Sequence, residues 1–257
     1  MFRADVFAFY RVTPGNPEQS GAGYLCILLS EHCLFAFFLV NRVQSLIETI
    51  QFDPMAKNPS KAHPWHGISP GDNAPNILTA FIEIVPTDTV KYEIDKESGY
   101  LKIDRPQQYS NIIPALYGFV PRTFCGERIA RLASERSGRY IEMGDGDPLD
   151  ICVLTEREIT HGDILLQAIP IGGFRLIDKG EADDKIIAVL KGDSMYGQFT
   201  ELADLPEAVV KRLRHYFMTY KNLPDEPPVM ELANIYGREE ALEVIRTSMQ
   251  DYAEMPA

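Results

Sequence analysis

Alternation of apolar and polar residues with period two predicts that the middle of the chain is rich in β-structure. Residues 90–95 and 100–105 alternate in this way, and the turn at 96–99 joins them into a hairpin. Further apolar runs of strand length are present at 81–85, 151–155, 163–171, 174–178 and 184–190. Because these runs are joined by short turns and no intervening helices are predicted, the pattern favours a small β-barrel.

The C-terminal part follows a helical period instead. Apolar residues recur on one face over 209–220, and Asp204 and Glu207 before them match a capping box with proline in the first turn. A proline-rich linker at 222–229 separates this helix from a second one, predicted over 238–252. We therefore expect two helices beside the strands.

Two segments interrupt the strand pattern. Residues 111–124 are expected to be irregular. Residues 126–143 form a polar insertion rich in arginine, in which 129–133 is expected to make one helical turn or two. The predicted class is α+β and mainly β, with a barrel flanked by helices.

The first 54 residues differ in character from the rest of the chain. An apolar stretch at 24–40 is interrupted by polar residues and lacks the uninterrupted span of about 18 residues that a transmembrane helix needs. An interfacial helix or a weak membrane anchor stays open as an alternative. We prefer Met55 as the natural start, with 1–54 an N-terminal extension of doubtful status and 55–257 a single domain.

The formal net charge of −12 narrows the range of partners. It argues against nonspecific binding to nucleic acid and against attraction to an anionic membrane. An acidic protein still binds an anionic substrate when metal ions bridge the two. The four cysteines form neither a CxxC motif nor a disulfide framework, so we expect reduced thiols and a cytoplasmic location.

The strongest chemical signal is an acidic turn that contains Asp145, Asp147 and Asp150. Two carboxylates about 5 Å apart at an effective dielectric near 20 repel each other by roughly 3 kcal/mol. Such a cluster needs cations, a shared proton or full solvation, and a solvated acidic turn is the alternative interpretation. An EF-hand is disfavoured, because Leu149 and Asp150 stand where that loop has an oxygen ligand and a glycine.

A second turn carries Asp178 and Asp183 between two predicted strands, and basic side chains stand at strand and helix ends. Carboxylate oxygens select hard cations such as Mg²⁺ or Mn²⁺ rather than zinc. Basic groups opposite such ions suit a substrate with two or more phosphoryl groups. These features together indicate metal-dependent phosphoryl hydrolysis. The spacing of His63 and His66 gives only a weak metal site, and a packed or capping loop is favoured there.

Four motifs occur in the order found in one enzyme family. They are residues 91–99, 145–150, 178–185 and 220–221. Over about residues 75–223 the chain resembles the soluble family I inorganic pyrophosphatases. The resemblance implies a five-stranded OB-like β-barrel flanked by helices, and hydrolysis of pyrophosphate to two phosphates with several Mg²⁺ ions, for which Mn²⁺ can substitute. It also implies a homo-oligomer, hexameric in many bacterial members and dimeric elsewhere.

The resemblance further implies roles for individual side chains. Asp147 resembles the general base, which accepts a proton from a metal-bridging water that attacks as hydroxide. The expected metal ligands are Asp145, Asp150, Asp178 and Asp183, with Glu83 and Glu93 acting through water. The groups expected to hold the two phosphates are Lys91, Arg105, Tyr117, Lys185, Tyr220 and Lys221, and the last two are also assigned to the catalytic set.

The chain departs from the family pattern in two places. Ile113 stands before the element 114–118, where a tyrosine is common, so one hydroxyl near the site is absent. The insertion 126–143 is longer than in compact bacterial members, and we expect it to alter a lid over the site or the oligomer contacts.

Two other functions stay open. OB-like barrels bind single-stranded nucleic acid through basic and aromatic faces, but the charge and the distinctive acids of this chain argue against that function. A catalytically inactive, pyrophosphatase-like interaction protein is the main alternative, although all of the expected carboxylates are present.

Overall fold

The structure, a computed structural model, describes residues 7–11, 24–28, 61–107, 111–221 and 229–255. The chain divides into two compact units, Met1–Ser60 and Lys61–Ala257. In the first unit, strand β1 (Phe7–Arg11) pairs antiparallel with strand β2 (Tyr24–Leu28). The preferred start at Met55 lies outside the described residues and stays a prediction. None of the described helices is long and apolar enough to cross a bilayer.

The described part of the second unit contains eight strands and three α-helices. The strands are β3 (Leu78–Ile84), β4 (Val90–Ile94), β5 (Leu101–Pro106), β6 (Leu116–Phe119), β7 (Asp150–Leu154), β8 (Ile164–Asp178), β9 (Glu181–Leu190) and β10 (Met230–Gly237). The helices are α1 (Glu127–Ser137), α2 (Glu207–Thr219) and α3 (Arg238–Ala253).

Five of these strands close into a ring. The six-stranded sheet has the order β10-β8-β3-β6-β7-β9, and β8 also pairs with β9, which joins the two ends of the set β8, β3, β6, β7 and β9. Strands β7 and β9 run parallel, and the other pairs are antiparallel. Strands β4 and β5 form the predicted hairpin as a separate two-stranded sheet. The mainly β class with flanking helices is therefore confirmed, with a ring of five strands at its centre.

The strand predictions need two corrections. The two runs predicted at 163–171 and 174–178 are one continuous strand, β8, because a register shift between Pro170 and Gly172 absorbs the proline without ending the strand. The segment predicted to be irregular, 111–124, contains the four-residue strand β6, which pairs with β7 along its whole length and with β3 at residues 117–119. Neighbouring strands, rather than local periodicity, stabilise this short segment.

The helix predictions need two corrections as well. Helix α1 runs for 11 residues between β6 and β7, so the one or two helical turns predicted at 129–133 are part of a longer helix. The capping box predicted at Asp204 is wrong, because α2 begins after Pro206 without a side-chain cap. The Asp204 carboxylate instead accepts hydrogen bonds from the N–H groups of Thr200 and Glu201, and so closes the short 3₁₀ turn Leu202–Asp204. The second predicted helix is confirmed as α3, whereas β10 before it had not been predicted.

Alternate residues of β9 face two different clusters of buried apolar side chains. Ile186 and Ala188 belong to the cluster that includes residues of α1 and α3, and Ile187 belongs to the one that includes residues of α2. The same alternation puts Asp183 and Lys185 on the α2 side of the strand and the residue between them on the other side.

Helix α1 receives its N-terminal cap from another helix. Its own N-cap residue, Gly126, has no side chain to offer. The carboxylate of Asp251, on α3, accepts hydrogen bonds from the N–H groups of Gly126 at 3.0 Å, Arg128 at 3.2 Å and Ile129 at 3.1 Å. Asp251 is buried, so water does not replace it when it is removed.

Replacing Asp251 by alanine should therefore lower the free energy of unfolding by about 1–3 kcal/mol, because buried N–H groups are left without acceptors. Urea unfolding followed by circular dichroism measures this loss. Glu254→Ala is the matched control, since the exposed Glu254 side chain forms a surface ion pair with Arg128, and this variant should unfold close to wild type. An Asp251→Ala protein as stable as the control would show that α1 needs no cap from α3.

Candidate active site

One cleft collects most of the side chains that the sequence singled out. It is lined by eight acidic residues, Glu83, Glu93, Asp145, Asp147, Asp150, Asp178, Glu181 and Asp183, and by four lysines, Lys91, Lys96, Lys185 and Lys221. Tyr117, Tyr216 and Tyr220 complete its polar wall. The eight acids outnumber the four lysines, so the lining carries a formal net charge of −4. Buried charges of one sign need a balancing partner.

The backbone fixes the acidic turn before any ion binds. Gly146 has φ +72°, a conformation that side chains rarely adopt, and its N–H donates to the carbonyl of Cys125 at 3.1 Å. The N–H of Cys125 donates in turn to the carbonyl of Asp147 at 2.9 Å, and the N–H of Asp147 donates to Oδ1 of Asp145 at 3.0 Å. The backbone of the turn and the carboxylate of Asp145 are therefore held at set positions.

Strand register brings the two acidic turns together. Asp150, the first residue of β7, lies opposite Lys185 of β9 in the parallel pair. The ammonium of Lys185 forms ion pairs with Asp150 and Asp183. The hydroxyl of Tyr117 donates to Oδ2 of Asp150 at 2.5 Å. At the end of α2, the ammonium of Lys221 donates to Oδ2 of Asp178 at 2.5 Å.

Burial and mutual repulsion shift the pKa values of these acids apart. Burial, followed by the charge of Asp183, raises the pKa of Asp145 to about 9. For Asp183 burial acts in the same upward direction, but the charge and hydrogen bond of Lys185 outweigh it and lower its pKa. Burial likewise raises the pKa of Glu83 to about 8, against the hydrogen bond that its Oε1 accepts from the N–H of Ile94 at 2.7 Å. Burial therefore favours the protonated forms of Asp145 and Glu83, whereas Lys185 keeps Asp183 ionised.

The donor set fits hard divalent cations. Carboxylate oxygens dominate the cleft, and Oδ1 of Asp178 is buried with no hydrogen-bond partner among the described residues. Within residues 61–107, 111–221 and 229–255, no three potential ligand side chains already converge on one point. The Lys185 ammonium lies between Asp150 and Asp183, and the Lys221 ammonium lies on Asp178.

One predicted site residue lies apart from the others. Arg105 does not line the cleft, and its Nη1 donates to Oδ2 of Asp104 at 2.5 Å on the hairpin. The cleft also contains three polar residues that the sequence had not assigned to the site, Lys96, Glu181 and Tyr216. Tyr216 stands one helical turn before Tyr220 and stacks on it with ring centroids 5.2 Å apart, so the i, i+4 spacing was the available signal. No residue of the insertion 126–143 lines the cleft.

Comparison with known proteins agrees with this arrangement. The family profile described as "Inorganic pyrophosphatase" matches residues 80–253. The chain belongs to the inorganic pyrophosphatase family. The match extends beyond residue 223, so the expectation that the C-terminal part lies outside the resemblance is wrong, and β10 and α3 belong to the family fold.

Relatives of known name and structure show how far the family similarity extends. The inorganic pyrophosphatase of Chlamydia muridarum is 49% identical over 207 residues, which cover 78% of this chain and 99% of the relative. Soluble inorganic pyrophosphatase 1 of Arabidopsis thaliana is 37% identical over 193 residues, 75% of this chain and 81% of the relative. The crystal structure of the Thermus thermophilus inorganic pyrophosphatase aligns with a TM-score of 0.63 at 27% identity, covering 75% of this chain and 99% of that one.

Proposed function

We propose that the chain hydrolyses inorganic pyrophosphate to two phosphates in a reaction that depends on divalent cations. The observation that carries the proposal is the cleft itself, in which eight acids surround four lysines in a chain of the inorganic pyrophosphatase family. Excess carboxylates attract divalent cations, and the lysines attract the phosphates that those cations accompany. A cleft built to bind a single strand of nucleic acid would need the opposite balance of charge.

The cation ligands are proposed to be Asp145, Asp150, Asp178 and Asp183, with Glu83 and Glu93 acting through water. Bound Mg²⁺, or Mn²⁺ in its place, lowers the pKa of water and neutralises charge on the phosphates. The raised pKa of Asp145 and the unpartnered oxygen of Asp178 support this assignment, since each is relieved by a nearby cation.

Asp147 is proposed to be the general base. It lies on the same rigid turn as Asp145, and its side chain is half exposed at the cleft, where it can take a proton from the attacking water. The water then adds to phosphorus, the bridging oxygen leaves with the second phosphate, and the proton rests on the carboxylate of Asp147.

The phosphates are proposed to be held by the cleft side chains Lys91, Tyr117, Lys185, Tyr220 and Lys221. The proposed role of Arg105 as a further phosphate-binding group rests on the family resemblance alone, since its side chain does not line the cleft. All three lysines of this set pair with carboxylates in the structure. For Lys91 the partners are Glu93 at 3.1 Å and Asp104 at 3.0 Å. When cations occupy the carboxylates, the ammonium groups become free to bind phosphate oxygens. Tyr220 and Lys221 are placed together by the end of α2.

Phosphate release from pyrophosphate tests the proposal directly. We expect release that requires Mg²⁺ or Mn²⁺ and stops on addition of EDTA, because the carboxylates bind substrate only through cations. A phosphate monoester in place of pyrophosphate is the control and should be hydrolysed far more slowly. If no divalent cation supports phosphate release, the enzyme interpretation fails and the inactive interaction protein takes its place.

Finer features accompany the proposed function. The ring of five strands is proposed to correspond to an OB-like barrel, and residues 55–257 to a single domain. The protein is proposed to act in the cytoplasm as a homo-oligomer, independently of membranes and nucleic acid. The net charge of −12 supports its independence of anionic membranes and of nucleic acid.

A further inference from the structure

The ammonium of Lys96 covers one oxygen of Asp147. Lys96 follows β4 at the tip of the hairpin, forms an ion pair with Oδ1 of Asp147 and donates a hydrogen bond to the carbonyl of Gly146 at 3.4 Å. That carboxylate oxygen is buried and has no other hydrogen-bond partner in the part of the chain that the structure describes. The ammonium of Lys96 therefore pairs with the side chain that is proposed as the general base.

This ion pair cannot hold its own geometry. The side chains of Lys96 and Asp147 are 50% and 48% exposed. Ion pairs at this exposure contribute little, because water screens the charges and both side chains lose rotamer freedom. If Lys96 keeps Asp147 aligned, the alignment must come from whatever holds the hairpin tip.

The hairpin tip is closed by its own hydrogen bonds. Oδ1 of Asp95 accepts hydrogen bonds from the N–H and the hydroxyl of Ser98, at 2.9 and 2.7 Å. Gly99 has φ +74°, and a Cβ at this position would lie 2.8 Å from Cδ2 of His63. The tip therefore packs directly on the loop that contains His63.

His63 is bonded through both of its ring nitrogens. Nδ1 accepts hydrogen bonds from the N–H groups of Trp65 at 3.2 Å and His66 at 3.3 Å. Because that nitrogen is an acceptor, the ring proton resides on Nε2, which donates to the carbonyl of Lys96 at 3.2 Å. The prediction of a packed loop for the two histidines is confirmed, since neither ring nitrogen of His63 is left for a metal.

The His63 loop is anchored deep in the fold. Nε1 of Trp65 donates to the carbonyl of Thr123 at 2.8 Å, and the Trp65 side chain is buried. The His66 ring stacks on Trp65 with centroids 4.4 Å apart, and its Nδ1 lies 2.9 Å from the hydroxyl of Tyr252 on α3. A chain of contacts therefore runs from α3 through this loop to the backbone of Lys96.

We propose that Lys96 is a positioning residue for Asp147, and that His63 acts through Lys96 by fixing the hairpin tip. The inference rests on the proposed function, and in particular on the role of Asp147. It assigns the loop at 63–66 a part in the reaction although no residue of that loop lines the cleft.

The first test measures Lys96→Met in two backgrounds. In the otherwise natural protein we expect kcat for pyrophosphate hydrolysis to fall about tenfold while KM stays within about twofold, because a misplaced base slows proton transfer without weakening substrate binding. In Asp147→Asn the same change should cause no further loss, since residues that act as a unit are not additive. Lys96→Arg, which keeps the cation, should restore most of the activity.

The matched control is Lys102→Met on the same hairpin. Lys102 is equally exposed, at 50%, and its ammonium lies near Glu93 and Asp95 instead of Asp147. We expect kcat within about twofold of the natural protein, since loss of an exposed charge away from Asp147 removes no alignment. A tenfold loss of kcat in Lys102→Met would overturn the inference, because the effect would then not depend on contact with Asp147.

The second test separates His63 from a general effect on stability. His63→Ala should lower kcat about threefold, whereas His63→Gln, which keeps a donor near the Nε2 position, should lower it less. In the Lys96→Met background, neither His63 substitution should lower kcat further. The midpoint temperature of thermal unfolding is measured for each variant as well. We expect the ratios of kcat between variants to be the same at assay temperatures well below these midpoints.

Three further outcomes would overturn the inference. A rise in KM with Lys96→Met would place Lys96 on the substrate instead of on Asp147. Independent, multiplicative losses from Lys96→Met and Asp147→Asn would show that the two side chains do not act together. A natural protein that releases no phosphate would overturn the proposed function and this inference with it, whereas the first two outcomes leave that function intact.

Discussion

Asp147→Asn should reduce kcat for pyrophosphate hydrolysis by a factor of about 10²–10⁴, the range typical of a lost general base. Asparagine has nearly the same shape, and the N–H of residue 147 still donates to Oδ1 of Asp145, so the turn should keep its geometry. What is lost is the ability to accept a proton from the attacking water. KM should change only a few-fold, because the phosphates are held by other side chains.

Steady-state phosphate release at saturating Mg²⁺ measures this effect, and Glu97→Gln is its control. Glu97 is exposed on the hairpin turn beside Lys96 and does not line the cleft, so removing its charge should leave kcat within about twofold. If Asp147→Asn keeps near-natural kcat while hydrolysis still requires metal, the reaction stands and the base must be another group. If both variants lose activity equally, loss of negative charge near the cleft would be the cause.

The sequence predicted which acids lie close together better than it predicted the elements around them. The acidic turn at 145–150 and the acids of the β8–β9 turn were identified because closely spaced carboxylates followed by buried strands are rare without a cation or proton to share. The structure brings these acids into one cleft. Strand pairing explains this, since Asp150 lies opposite Lys185 in the β7–β9 ladder.

What the sequence missed depends on contacts between distant residues. Strand β6 has only four residues, and its partners β3 and β7 define it. Helix α1 begins at a glycine and takes its cap from Asp251, more than 120 positions away. Lys96 does not stand out in the sequence because residues 95–99 match a simple hairpin turn, and only the fold shows that its ammonium reaches Asp147. Local periodicity carries no information on such contacts.

A buried ion pair lies on the face of β9 opposite to the cleft. Arg175 of β8 is fully buried, and its Nη2 lies 3.3 Å from Oδ1 of Asp184. The hydroxyl of Tyr236 donates to the same oxygen at 2.8 Å, and Nη1 of Arg175 donates to Glu240 of α3 at 2.7 Å. Asp184 lies between Asp183 and Lys185, on the opposite face of the strand, so this network holds the strand segment that carries two cleft residues.

Arg175→Met should therefore lower the free energy of unfolding by about 3–5 kcal/mol, because it leaves the buried carboxylate of Asp184 without its cation. This is the largest stability effect that we expect from one substitution. Glu240 is partly exposed and can be solvated, so the deficit should come from Asp184. Adding Asp184→Asn should recover most of it, since asparagine is neutral and still accepts the hydrogen bond of Tyr236. Urea unfolding of the two variants and the natural protein measures both changes.

The pH dependence of this deficit is set by the pKa of Asp184. Burial raises that pKa, against the opposing charge of Arg175, so removal of the arginine raises it further. A group whose pKa is raised in the folded state stabilises the fold below its unfolded pKa and loses that contribution as pH rises through the folded value. The deficit of Arg175→Met should accordingly be smaller at acidic pH, where Asp184 is protonated, and larger at alkaline pH. An equal deficit at both ends, or no recovery with Asp184→Asn, would show that lost packing of the arginine stem, and not the unpaired carboxylate, destabilises the variant.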